Sequence, residues 1–338
     1  MAQQIQFRRG TASQWTTANP TLAQGELGLE LDTQFYKIGN GTTAWTSLAY
    51  GSLRTTDAAN AIDFTAISDP TAPASGHMLS YAKSIGGRIL PKIIGPSGLD
   101  TALQPAMWGN GIRMISPGSA TALSVIGMAA PTAVGTVSHP TPAAGNQRTQ
   151  TRRAIVTSAA TANSASELRN TTVEAWRGAS GSGLGGFFMT TRFGMSTTVA
   201  LQRTAVGMFS TTAALATTQS PSALTSCFFM GNDSGDTNMQ IMYNDASGTC
   251  TKVDLGASFP ASDAAAVYEI IFFAAPAAST ISWRAQRLDG TPSTVEGTIS
   301  TNLVPDTTFL AWHAYANNGG TAAAVVLELM RYYLETDY

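Results

Sequence analysis

The chain is short of the residues on which most catalytic and metal chemistry depends. In 338 residues there are three histidines and two cysteines. Neither Cys227 nor Cys250 stands in a CxxC or CxxH arrangement, so no structural zinc site is expected. His77, His139 and His313 are scattered without an HExxH pattern, and there is no GxSxG elbow and no phosphate loop ending in GK[ST]. Charge is scarce too: Asp, Glu, Lys and Arg make up 12% of the sequence, about half the usual quarter. That scarcity is not a disorder signature, because disorder goes with low hydrophobicity and high net charge, whereas this chain is 43% hydrophobic with a net charge of −2. No uninterrupted apolar run approaches the ~20 residues a spanning helix needs, and MAQQIQFRRGTASQW lacks the apolar core of a secretory leader. A protein folded almost throughout is expected, with no cofactor, no bound metal, no membrane insertion and no nucleic-acid partner.

What is present in excess is Ala, Thr, Ser and Gly, small residues that suit tight packing between chains. Charge is also unevenly placed. Residues 101–203 carry eight basic and two acidic side chains, and residues 204–338 carry four basic and twelve acidic. Two such blocks are expected to meet, within one domain or between subunits. The other reading of the basic block, with Arg148, Arg152 and Arg153, is contact with an anionic cell-surface glycan. Cys227, inside the apolar run SCFFMG, reads as a buried small hydrophobe, and a disulfide to Cys250 is not favoured for a protein assembled in a reducing cytoplasm.

Residues 4–50 read as a compact unit of short alternating segments. Leu27, Leu29 and Leu31 alternate with Glu26 and Glu30, which puts apolar residues on one face of a strand. Gly39, Asn40 and Gly41 mark a tight turn, and Trp15 and Trp45 are the large anchors for a unit with little core of its own. Residues 57–67 predict a short helix capped by Thr56 or Asp57. The Gly- and Pro-interrupted stretch after it, through residue 106, reads as a connector.

The order of features from Arg8 to Tyr50 resembles the N-terminal module of many phage tail fibres and of the major tropism determinant family. These features are the RxGT start (Arg8 or Arg9, Gly10, Thr11), Trp15 followed by Asn19–Pro20, GELG, the strand ending KIGNGTTAW, and closing Leu48 and Tyr50. The resemblance covers nearly all of residues 6–50. It implies a small β-unit that trimerises about a threefold axis at the virion-proximal end. DPxAPxxG at 69–76, YAKSxxGRxLPK at 81–92, GPSGLDTxLQP at 95–105 and Trp108 resemble a block of phage tail proteins that joins the attachment region to a receptor-binding domain, and the last strand with its LETDY ending resembles the termini of the same family.

From about residue 107 onward the sequence is a series of short strands at regular spacing. They are GFFMTTRFG, AVGMFS, SCFFMG, MQIMYN, VYEIIFFA, TISWRAQRL, TFLAWHAY and AVVLELMRYYLE. The expected fold is therefore mainly β: a trimerising β-module over residues 1–50, a short, partly helical connector over 51–106, and an antiparallel β-sandwich, jelly-roll-like, over 107–338. In TISWRAQRL, Ile281, Trp283 and Ala285 share one face and Ser282 and Arg284 the other. VYEIIFFA and SCFFMG, being continuously apolar, belong in the centre of the sandwich or at a subunit contact.

Between Asp100 and Asp233 the only acidic residues are Glu167 and Glu174, and no β-helical repeat is visible, so the chain is expected not to be an enzyme. A phage tail fibre is the expected function. It would be a homotrimer assembled in the host cytoplasm and carried on the virion, held by tail or baseplate proteins at its N-terminus and binding a host glycan such as lipopolysaccharide or capsule at the other end. A structural tail component and a capsule depolymerase are the alternatives. Two segments place aromatics beside planar amides and carboxylates, the combination that stacks on a sugar and bonds its hydroxyls. One is Trp312, His313, Tyr315, Asn317 and Asn318. The other is Asn232, Asp233, Asp236 and Asn238 near Tyr243. Trp312 reads equally as a core residue of its strand, and NDSGDTN, lacking the remaining EF-hand positions, reads as a turn before a calcium loop.

Overall fold

The computed structural model describes residues 7–51, 64–74, 77–85, 88–94, 111–118, 122–179, 185–274, 276–290 and 292–336. The chain forms two compact units, Met1–Leu103 and Gln104–Tyr338.

The first unit opens with strand β1 (Arg8–Gly10) and helix α1 (Ala12–Ala18). Thr11 Oγ1 accepts from the Gln14 N–H at 3.2 Å and the Thr11 N–H donates to Gln14 Oε1 at 2.8 Å, a capping box that satisfies two otherwise orphan donors. The helix stops at left-handed Asn19, φ 38°, just ahead of Pro20. The short alternating segments of this module do not reveal the helix between them; T-x-x-Q followed by Asn-Pro is its signal.

Strand β2 (Leu27–Glu30) runs parallel to β1 and antiparallel to β3 (Tyr36–Ile38). The period-2 alternation is real, but its faces are the reverse of those expected. Trp15 and Trp45 stack at 4.0 Å with an interplanar angle of 13°, an arrangement worth about 1 kcal/mol beyond its buried area, and the residue beneath them is Gly28. A Cβ there would stand 2.5 Å from Trp45 Cζ3. Glu30 and Lys37 share this inner face. Glu30 accepts from Tyr50 Oη at 2.9 Å, and Lys37 Nζ donates to the Trp45 carbonyl at 2.8 Å while lying over the Tyr50 ring. Leu27 and Leu29 lie half-buried on the opposite face, and Leu31, just past β2, and Ile38, the last residue of β3, are more than half exposed. The tandem-Trp core leaves room for a glycine and not for leucine.

In the connector, residues 57–63 and the GPSGLDTALQP stretch lie outside the described residues. Residues 64–67 are extended, and Ala66 bridges Ala82. The apolar stretch after them is a hairpin of β4 (Leu79–Ile85) and β5 (Arg88–Ile94) in place of a partly helical link. Asp69 is its clasp, accepting from Tyr81 Oη at 2.7 Å and Lys92 Nζ at 3.0 Å.

The second unit is the expected antiparallel sandwich. Its strands are β6 (Gly111–Ser116), β7 (Ser124–Ile126), β8 (Thr132–Val134), β9 (Thr136–Ser138), β10 (Ala154–Thr157), β11 (Ala165–Arg169), β12 (Phe187–Thr197), β13 (Arg203–Phe209), β14 (Cys227–Asn232), β15 (Gln240–Asn244), β16 (Thr251–Asp254), β17 (Val267–Ala274), β18 (Ile281–Arg287), β19 (Ser293–Ile299), β20 (Ala311–Asn317) and β21 (Val326–Thr336). One sheet of nine strands has the order β19-β18-β17-β12-β21-β10-β9, with β6 and β7 joined to β21. The other, of seven, has the order β16-β15-β14-β13-β20-β11-β8. Consecutive pairs β8/β9, β10/β11, β12/β13 and β20/β21 take equivalent places in the two sheets, so the chain is rolled across both like a long folded ribbon. At the first corner Gly135, φ +102°, carries the chain from one sheet to the other where a Cβ would stand 2.6 Å from the Thr157 carbonyl.

Aromatic pairs fill the space between the sheets: Phe228 against Phe272 at 4.9 Å, Phe187 against Phe228 at 5.4 Å, and Trp312 on Tyr332 at 4.6 Å. Ile281, Trp283 and Ala285 of β18 point into this core while Ser282 and Arg284 point out, as read from the alternation. Cys227 is fully buried, and both cysteines are free thiols.

The charge blocks meet inside this unit. Glu328, fully buried, receives Arg148 Nη1 at 2.7 Å, and Arg153 Nε lies 2.8 Å from its second oxygen, a Coulombic contact without aligned hydrogen-bond geometry. Arg192 and Arg331 share Glu269, each at 2.9 Å. Asp289 secures a further corner, accepting the Val267 N–H at 2.7 Å and Arg287 Nη2 at 2.9 Å. Burial alone would raise the Asp289 carboxyl, but the bonds from Arg287 and Val267 outweigh it and hold the carboxyl below its ordinary 3.8.

Glu328→Gln leaves two guanidinium groups buried beside a neutral amide and should lower stability by roughly 3 kcal/mol, read from denaturant midpoints. Asp289, with a lowered folded-state value, contributes stability that is full above 3.8 and is lost as pH falls through that lowered value. Asp289→Asn should therefore flatten the acid limb of a stability-against-pH curve; an unchanged limb would show that the clasp contributes nothing.

Candidate functional site

Strand β20 holds most of the first expected sugar-binding segment, and it is buried along its whole length. Its alternate residues Trp312, Ala314 and Ala316 enter the core between the sheets, where Trp312 Nε1 donates to Thr191 Oγ1 at 3.0 Å. The other alternation faces away from that core, but loop 210–226 lies over it. His313 places Nδ1 2.8 Å from Glu167 Oε1 and Nε2 2.9 Å from the Thr211 carbonyl, so both ring nitrogens point at acceptors. Tyr315 Oη donates to the Ala216 carbonyl at 3.3 Å, and Leu215 and Leu224 pack beside it.

The two asparagines are internal fasteners. Asn318 Nδ2 donates to the Thr161 and Ala323 carbonyls at 2.8 Å each, and its Oδ1 accepts the Ser164 N–H at 2.8 Å. Asn317 Nδ2 donates to the Ser164 carbonyl at 3.1 Å and its Oδ1 accepts the Gly319 N–H at 2.7 Å. Trp312, His313, Tyr315, Asn317 and Asn318 thus present no surface to a ligand. A strand covered on both faces shows the same aromatic-plus-amide composition as a binding loop, which is why sequence alone did not separate them.

The second segment is a hydrogen-bonded turn at the rim of a cleft of about 230 Å³ that Asn232 and Asp236 help to line. Asn232 is buried with Nδ2 on the Gln202 carbonyl at 2.9 Å, and Tyr243 belongs to the inter-sheet core. Asp233 Oδ1 accepts the Ser222 N–H at 3.0 Å and Asp236 Oδ2 the Asp233 N–H at 2.8 Å. Lys252 Nζ lies 2.6 Å from Asp236 Oδ1 and 3.3 Å from Asp233 Oδ2, so an internal ammonium stands among these carboxylates. Asn238 Nδ2 donates to Asp254 Oδ1 at 3.0 Å.

The outer faces of the two sheets differ. Loop 210–226 covers much of the seven-stranded sheet. On the nine-stranded sheet, helix α2 (Gln147–Gln150) and Arg153 clasp only the end that carries Glu328. Farther along, this face is open. Phe188 stands directly opposite Phe273 of β17 and Glu335 of β21, and the next outward positions bring Ile271 opposite Arg284 and Arg284 opposite Glu296. Phe188 is 38% exposed and Phe273 48%. Two clefts meet at Phe273. One, of about 260 Å³, is lined by Phe188, Pro276 and Glu335, and the other, of about 440 Å³, by Arg284, Glu296 and Thr298. Arg284 Nε lies 3.2 Å from Glu296 Oε1.

VYEIIFFA and GFFMTTRFG carried the signal for this surface. Neighbours in a strand point to opposite faces, so in each Phe-Phe pair one ring must leave the core, and here Phe187 and Phe272 go in while Phe188 and Phe273 stay out. Glu174, whose carboxyl burial lifts above its ordinary value, receives Tyr332 Oη at 2.7 Å between the sheets and faces neither cleft. Among the described residues each cleft is lined by one carboxylate, Glu335 or Glu296.

Residues 5–43 match the family described as the major tropism determinant N-terminal domain. Over 46 residues, 14% of this chain, the sequence is 39% identical to the hyaluronoglucosaminidase of Streptococcus pyogenes phage H4489A, a match spanning 12% of that relative's length. Together these support a phage tail protein. Among solved structures, a protein of unknown function from Shewanella oneidensis MR-1 is similar at 12% identity and a TM-score of 0.42, over 67% of this chain and 86% of that one. Peanut lectin with a nine-residue peptide is similar at 11% identity and 0.42, over 67% and 97%. Likeness this loose carries no functional argument. Among the described residues no helix is long and apolar enough to cross a membrane.

Asn318→Ala removes a buried amide that bonds four backbone groups and should cost roughly 2–3 kcal/mol, read by thermal or chemical unfolding. A near-neutral result would mean that the 159–164 and 317–323 segments are held some other way.

Proposed function

We propose that this chain is a non-enzymatic phage tail fibre, a homotrimer that is attached to tail or baseplate proteins through its N-terminal module and binds a host cell-surface glycan through its C-terminal unit. The match of residues 5–43 to the major tropism determinant N-terminal domain carries this reading. The inverted module supports the trimer. Its open face carries Leu27, Leu29 and Tyr36, with Leu31 and Ile38 at its margins, an apolar surface that a monomer leaves partly in water. Among the described residues each cleft is lined by a single carboxylate, which supports binding over glycoside hydrolysis.

Light scattering of the full-length protein should give the three-chain mass, and Leu29→Glu with Ile38→Glu should dissociate it while leaving the Trp15–Trp45 core folded. A monomeric wild type would overturn the trimer. Added to cells ahead of phage, the protein should compete for adsorption. If the cells are instead stripped of capsule, or hyaluronan is depolymerised, the chain is an enzyme; if there is neither binding nor turnover, it is a structural tail component.

A further inference from the structure

We propose, building on the receptor-binding reading above, that the open face of the nine-stranded sheet is the glycan contact and that its ligand is an electrically neutral polysaccharide chain. Phe188 and Phe273 stand opposite one another on adjacent strands, each more than a third exposed, although Phe187 and Phe272 already supply the core beneath them. Folding alone gives no reason for a pair of rings in water. Exposed aromatic rings are what the C–H face of a sugar ring packs against, and Tyr333 lies edge-on to Phe188 at 6.3 Å beside them.

Planar hydrogen-bonding groups flank the rings on both sides. Arg284 and Glu296 lie on the two strands beyond Phe273, with side chains 46% and 65% exposed. On the other side Arg331, 47% exposed, shares Glu269 with Arg192. Guanidinium donors beside carboxylate acceptors suit neighbouring hydroxyls, which must both give and receive hydrogen bonds. Among the described residues the three arginines are balanced by Glu269, Glu296 and Glu335, so this surface favours neither a polyanion nor a polycation.

Shape points to a chain and not to a single sugar. From β21 to β19 the face crosses five neighbouring strands, about 19 Å at the usual strand spacing, and the clefts of about 260 and 440 Å³ both border Phe273. A second copy of the protein is a poorer occupant. The centre of a subunit contact is depleted of charged residues, and this face sets six of them around its rings.

Full-length protein, wild type and Phe188→Ala/Phe273→Ala, is applied to a glycan array that carries neutral hexose and N-acetylhexosamine chains beside their sialylated and uronic-acid-containing counterparts. Circular dichroism and light scattering check fold and assembly. The wild type should be captured by neutral chains, the double variant at least about tenfold more weakly, and Phe273→Trp should retain capture. Capture on acidic features only, no capture, or equal capture of the double variant overturns the proposal. A change of oligomeric state in the double variant also overturns it, by making the face a contact between copies. Adsorption to host cells is measured alongside. If the double variant still adsorbs, this face is excluded while receptor binding stands; if the wild type does not adsorb, the receptor reading itself fails.

Discussion

The stack of Trp312 on Tyr332 joins an interior strand of one sheet to an interior strand of the other, and the arrangement of the C-terminal unit follows from it. Strand β20 runs between β13 and β11, and β21 between β12 and β10. Once Trp312 points inward and its indole N–H is satisfied by Thr191, period-2 geometry sends His313, Tyr315 and Asn317 to the far side. Those polar groups need partners, since an unbonded buried polar atom costs about 1–3 kcal/mol. Loop 210–226 and the 159–164 segment supply them, so one sheet acquires a roof of its own chain.

Among the described residues the other sheet has no such roof. Its covering is a clasp of Arg148 and Arg153 on Glu328, beyond which the outward side chains are satisfied by one another, Arg192 and Arg331 on Glu269 and Arg284 on Glu296. The uneven charge along the sequence has a structural meaning here. Basic residues of the first half of the unit meet carboxylates of the second half on β17 and β21, and much of that charge is used in closing the domain. Arg169, Arg177 and Arg203 instead bond backbone carbonyls, which leaves few cations for an anionic ligand.

The sandwich was legible in the sequence because its longer strands combine apolar runs with clear ends. VYEIIFFA matches β17 residue for residue. Strands such as β8 and β9, three residues each and rich in Thr, gave no comparable pattern and were not anticipated. In the module the alternation was legible but its inner face was not, because which face is core depends on Trp15 and Trp45 stacking over Gly28, a contact between residues far apart in the chain. The candidate site failed for a related reason. Trp312 to Asn318 has the composition of a sugar site, and composition does not reveal that a loop a hundred residues away lies on top of it. The surface that is open was hidden inside runs that looked wholly buried.

The rolled topology also bears on synthesis. Strands β10 and β11 find their partners in β21 and β20, with Ile155 paired to Glu328 and Leu168 to Ala314. Everything between must be translated first, which at ordinary elongation rates takes on the order of ten seconds. Until then each sheet is split down the middle, with two unpaired edges of apolar strand facing the cytosol, the situation in which nascent chains pair wrongly with one another. Because β20 and β21 each enter as the missing interior strand of a sheet, they complete both layers together. The unit therefore closes late and in one cooperative step, and a ribosome that stalls before Ala311 releases a chain in which neither sheet of the sandwich is finished.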